Sequence, residues 1–168
     1  MYRTIEEFMR NWNHEANSTQ KVMDVLTDAS LNQEVVQGHR TLGELAWHII
    51  TSLHDMMSKT GLIFDAVGSH GSQVPASAKE FGNSFRQSSE SMIAAIKQQW
   101  TDESLKEINV IHGENWPNGL TLFILNCHLI HHRGQMTVLM RQAGLKVPGV
   151  YGPSQEEWAE YGLLKQTD

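Results

Sequence analysis

At four places that can open a helix, a Ser or Thr is followed three residues later by Glu: Thr4 with Glu7, Thr41 with Glu44, Ser77 with Glu80, and Ser154 with Glu157. In such a capping box the hydroxyl accepts from the backbone N–H three residues on, and the Glu reaches back to the N–H of the cap, so two donors that a helix start leaves orphaned are satisfied together. Asn118, after Pro117, offers a simpler cap. These signals predict helices over residues 4–28, 41–59, 77–100 and 118–143, with a short helix near 154–161; Gly61 and Gly144 stand where left-handed C-terminal caps belong. The connecting stretches, "SLNQEVVQGHR", "GSHGSQVPASAK" and "EINVIHGENWPNG", are rich in Gly, Pro, Ser and Asn and carry little strand signal.

Long amphipathic helices without repeats or low-complexity tracts predict an all-α fold, a four-helix bundle with a short C-terminal helix, formed by residues 1–168 as a single domain. The connections are longer than adjacent antiparallel helices need, so at least one is expected to cross over the bundle. With 40% hydrophobic residues the chain can bury a real core. It has no apolar run long enough to span a membrane and no signal-peptide pattern, so the expectation is a cytoplasmic protein without a membrane partner. The single Cys127 cannot form an internal disulfide, which agrees with a reducing compartment. A net charge of −6 with scattered Lys and Arg gives no footprint for phosphate backbones, and no nucleic-acid partner is expected.

The stretch "CHLIHHRGQM", residues 127–136, sets three histidines and an arginine into an otherwise apolar helix. Positions four apart on a helix are offset by only about 40°, so His128 and His132 lie nearly one above the other, on the side of Thr121, Leu125, Met136 and Leu139. His131 falls at the margin of this face. Two inward imidazoles at that spacing suit a divalent metal, and they equally suit a core in which histidines hydrogen-bond to backbone or to each other. A third ligand could come from His48, at the edge of the stripe formed by Leu42, Leu45, Ile49, Leu53 and Met56. His54 falls on the opposite flank, His39, His70 and His112 fall in loops, and His14 is at most an outer group.

Other residues receive plainer roles. Cys127, about 100° from His128, is expected to be a buried small hydrophobe. The methionines at helical spacing are core filler, and Trp12, Trp47, Trp100, Trp116 and Trp158 are expected to close bundle ends, with Trp116 able to wall a pocket. Arg133 is expected to point outward to a surface or dimer contact, Gly134 to allow close helix approach, and Gln135 to orient a ligand's second nitrogen.

The segments "WHI" at 47–49, "HLIHHRGQMTVLMRQAG" at 128–144 and "VPGVYGP" at 147–153 resemble the DinB family of small metal-binding bundles, and the likeness runs from the first helix to the terminal "EEWAEYG". The resemblance implies a metal held by His48, His128 and His132, a homodimer, and for some members transfer of a low-molecular-weight thiol. From it come three expectations: a divalent ion, Zn²⁺ or Ni²⁺; a small-molecule thiol and an electrophile as partners; and a metal-dependent thiol S-transferase activity. A DNA-damage-inducible, metal-binding stress-response protein without turnover and a metal-dependent hydrolase are the alternatives. The hydrolase lacks an obvious general base, because Glu44 already serves a cap and Asp55 lies two turns from His48.

Overall fold

In the computed structural model, which describes residues 1–163, four long helices form the body: α1 (Ile5–Asp24), α2 (Leu42–Met57), α3 (Ala78–Gln99) and α4 (Asn118–Gln142). Packing joins α1 to α3 and α4, and α2 to α3 and α4, so the helices stand in a ring in the order α1, α3, α2, α4. Helices α1 and α2 therefore sit on a diagonal, as do α3 and α4, and the segments 25–41 and 100–117 each cross an end of the bundle. Among the described residues no helix is long and apolar enough to cross a membrane.

Twelve of the sixteen residues of α2 are buried, because this helix is apolar around most of its circumference and packs against two neighbours. Its start is the full capping box expected: the Glu44 N–H donates to Thr41 Oγ1 at 3.1 Å and the Thr41 N–H donates to Glu44 Oε2 at 2.7 Å. The Thr4 hydroxyl also caps, but Glu7 takes the N–H of Arg3. At α3 the expected box does not form. Asp28, from a turn in the first crossover, accepts the Ala78 N–H at 2.6 Å, so a carboxylate 50 residues upstream replaces the Ser77 hydroxyl. Gly61 and Gly144 are left-handed, with φ of 78° and 76°.

Two further differences concern the segment before α4. Residues expected to be loop form a hairpin, β1 (Ile108–Ile111) and β2 (Glu114–Pro117), with Ile108 opposite Pro117 and Ile111 opposite Glu114. Its turn is His112-Gly113, both with positive φ (52° and 84°), a type I′ geometry in which a His occupies the place usually held by Asn. Pro117 rather than Asn118 is the N-cap of α4. Asn118 is buried and ties the hairpin down, donating to Ser104 O and accepting from Asn109 Nδ2, both at 3.0 Å. At the C-terminal end a single 3₁₀ turn, Gln155–Glu157, followed by turns replaces the short helix expected at 154–161.

Arg133 is not at the surface. It is 2% exposed, with Nη2 at 2.6 Å from Glu15 Oε2 and Nη1 donating to Glu15 O and Thr19 Oγ1 of α1. The wheel placed it opposite the histidines correctly, but that side of α4 faces α1 and not solvent. Tyr151 closes the pair, its hydroxyl accepting from Arg133 Nη2 at 2.9 Å and donating to the Glu15 carboxylate. Cys127 differs in the other direction: among the described residues it is exposed, on a stripe with Phe123, Gly134 and Val138. Trp12 and Trp47 are core residues rather than end closures, their indole N–H groups donating to Ser89 Oγ and Ser72 Oγ.

Removing one partner of a buried pair strands the other charge, so Glu15→Gln or Arg133→Met is expected to cost about 3 kcal/mol, on the order of 10 °C in Tm. The double variant should recover much of that loss. Thermal denaturation of the three variants checks it; single variants as stable as wild type would show that the pair carries no such cost.

Candidate metal centre

Helices α2 and α4 run past each other in opposite directions, so that Met56 and Ile124 line one cavity and Leu45 and Leu139 another. Between these two places lie the expected histidines. One nitrogen from each of His48, His128 and His132 falls within 4.8 Å of the others. The ring centroids form a nearly equilateral triangle, with 4.9 Å from His48 to His128, 4.7 Å from His48 to His132 and 4.4 Å from His128 to His132. All three rings are partly buried, and His131, next in sequence, is exposed.

Nε2 of His48 and Nε2 of His128 are 3.1 Å apart. Two nitrogens each about 2.0–2.1 Å from a tetrahedral ion would stand about 3.3 Å apart, so this pair is already at ligand spacing. The Ser52 hydroxyl, fixed by donating to His48 O at 2.6 Å, sets its oxygen 3.1 Å from His128 Nε2. Gln135 Oε1 lies 2.6 Å from His132 Nδ1, and since a carbonyl oxygen only accepts, that contact puts the proton on Nδ1 and leaves Nε2 with its lone pair. This is the orienting role expected of Gln135.

Burial, followed by the positive charge of Arg40, pulls the pKa of His48 down to about 4; burial, followed by the neighbouring His132 and His131, does the same for His128. Burial also lowers that of His132, against the opposing effect of Gln135. The triad is thus neutral at pH 7, the form in which imidazole binds a cation. Donor type, spacing and protonation all fit a divalent metal, and the three histidines could hold one.

A cavity of about 650 Å³ opens on the His48 and His128 side. Its walls include Ser52 and Met56 of α2, Trp116 of β2 and Ile124 of α4. Three histidines without an expected role border it as well: His54, His70 and His112. His70 arrives on the 68–72 loop, which Trp47 anchors through Ser72 and Asp55 through the His70 N–H at 3.1 Å. On the His132 side lies a second cleft of about 410 Å³, bordered by His39, Arg40 and Gln135 among mostly apolar residues. Sequence reading missed Arg40, and with it His39, because a loop residue has no helical phase to mark which way it faces. His14 is remote from the triad, stacked on Tyr151 with ring centroids 5.6 Å apart.

A four-helix bundle with an inward His triad defines a class of small metal-site bundles, and the comparisons make it specific. The DinB family model matches residues 1–167, and the chain belongs to that family. It is 48% identical over 164 residues to the uncharacterized protein YrdA of Bacillus subtilis (strain 168), with 97% of each chain covered. The crystal structure of a DinB-like protein from Bacillus cereus ATCC 10987 superposes with a TM-score of 0.87 at 50% identity, covering 90% of this chain and all of that one. A DinB-like protein from Bacillus subtilis, YjoA, shares the fold with a TM-score of 0.67 at 16% identity, over 86% of this chain and 97% of its own.

Changing His48, His128 or His132 singly to Ala is expected to lower metal content sharply while His131→Ala keeps most of it; elemental analysis giving equal loss in all four variants would reject this ligand set. A second expectation concerns pH. Because His48 and His128 are held near 4 in the fold against about 6.5 when unfolded, the unfolded metal-free chain binds more protons between those values. Stability of the metal-free protein should therefore be full above about pH 6.5 and fall as pH drops toward 4. Melting curves of wild type and His128→Gln across this range check the sign, the variant showing the shallower decline.

Proposed function

We propose that this protein is a metal-dependent thiol S-transferase that conjugates a low-molecular-weight thiol to electrophilic small molecules. The observation supporting the reading is the donor set: three converging imidazoles, with no carboxylate or thiolate among them, beside a cavity of about 650 Å³. A divalent ion held by His48, His128 and His132, Zn²⁺ or Ni²⁺, would keep its full charge and would favour the thiolate form of a thiol at neutral pH.

The chain's own residues do the rest. His48, His128 and His132 would bind the ion through neutral nitrogens, and Gln135 fixes the orientation of the His132 ring. Trp116, Ile124 and Met56 provide an apolar wall that limits water near the reacting sulfur. The His70 imidazole in the same cavity offers a site for the thiol proton. Sulfur then bonds to the electrophilic carbon as its leaving group departs. No covalent adduct with the enzyme is needed, since Cys127 is exposed and borders neither cavity.

A hydrolase would need a general base, and both carboxylates near the site are engaged, Glu44 by the Thr41 N–H and Asp55 by the His70 N–H. A metal-binding stress-response protein without turnover would share the same triad, and only an assay of turnover separates it. We assign the expected homodimer contact to the exposed α4 positions Phe123, Cys127 and Gly134.

In a Co²⁺- or Ni²⁺-loaded form, a low-molecular-weight thiol should produce thiolate-to-metal absorption, and Cys127→Ser should keep both that response and any transfer activity. Duplex or single-stranded DNA should bind negligibly at physiological salt, given the net charge of −6. Micromolar, salt-sensitive DNA binding with no spectral response to any thiol would refute the transferase.

A further inference from the structure

The cleft on the His132 side is chemically unlike the larger cavity. Arg40 is the charged residue among those that border it, and the rest of its lining is largely aliphatic. Two of those aliphatic residues, Val35 and Val138, are 60% and 52% exposed, apolar surface that water meets directly unless something covers it. The Arg40 guanidinium forms no ion pair among the described residues.

The backbone that carries Arg40 is held by its loop, and the residue itself is exposed at the edge of the cleft. The Leu42 N–H donates to Gln33 O at 2.9 Å and closes the 33–42 segment, while the Glu34 carboxylate accepts the Gly38 N–H at 3.0 Å. Gly38, with φ of 80°, lets the chain turn back just before Arg40. A cation held beside a site built from neutral ligands works against binding of a second cation, so the arrangement makes little sense for metal retention alone. It makes sense if an anion sits between them.

We propose that this cleft is a subsite for a small molecule that carries a carboxylate on an apolar body, the carboxylate facing Arg40 and the body lying against Val35, Leu45 and Val138. The assignment deepens the reading of the triad as a centre that acts on small molecules, and rests on it. The carboxylate-bearing reactant enters on the His132 side and its co-reactant occupies the larger cavity beside His128. The two reactants thus approach one centre from opposite flanks of the α2–α4 pair, which spares either from having to leave before the other binds.

The test is calorimetric titration of the metal-loaded protein with two probes that differ in charge alone, 3-phenylpropionate and 3-phenylpropionamide. The carboxylate should bind about tenfold tighter than the amide, the usual worth of a charge-assisted hydrogen bond, and Arg40→Gln should abolish that preference without weakening amide affinity or lowering metal content. Val138→Ser should weaken both probes alike. Equal affinities in wild type, or a preference that survives in Arg40→Gln because the carboxylate binds the metal, would overturn the proposal. Neither probe contains sulfur, so this outcome is independent of the thiol-to-metal absorption on which the transferase reading stands or falls.

Discussion

The rotation of α4 about its own axis decides what this protein can do, and the buried pair of Arg133 with Glu15 is the contact that sets it. A helix with apolar residues on every side has no strong preference for which face meets which neighbour. A guanidinium does. Its charge needs a partner, and inside the bundle the partner is a carboxylate on α1 supported by Thr19 and Tyr151. With Arg133 directed at α1, its neighbour His132 is turned by about 100° toward α2, and His128 follows one turn earlier. The "HHRG" run thus couples site and fold in adjacent residues: one side chain registers the helix and the one before it uses the register.

This coupling explains what could be read from the sequence. Helical periodicity relates residues within one element, so the convergence of His128 and His132, the edge position of His48 and the caps at Thr4 and Thr41 were all legible. What periodicity does not contain is the identity of the neighbour. The wheel puts Arg133 on the correct side of the helix, but it does not say that α1 rather than solvent lies there. Cys127 was assigned to the core for the mirror-image reason, since the uncovered stripe of α4 carries apolar residues. The cap of α3 shows the same limit at longer range, because the side chain that performs it is Asp28 and no local pattern links that residue to Ala78.

The hairpin and the loop histidines were missed on different grounds. Strands of four residues give alternation too little room to register, and a His-Gly turn lacks the usual signature. His70, His112 and Arg40 sit on segments whose course depends on tertiary anchors such as Trp47 with Ser72 and Leu42 with Gln33. Family resemblance named the triad but carried no information on the walls around it.

Those walls have a separate origin from the floor. The histidine nitrogens come from two long helices whose removal would dismantle the bundle, whereas the rims come from the 33–40 loop, the 68–72 loop and the tip of the hairpin, none of which contributes much to the core. A substitution at His39, Arg40, His70 or His112 alters the cavity rims at little cost in folding, and a substitution at His128 alters the histidine triad at once. Within such a scaffold, ligand preference is free to drift between lineages while the centre stays constant. Libraries that randomise the three rim segments and hold α2 and α4 fixed would sample that drift in the laboratory.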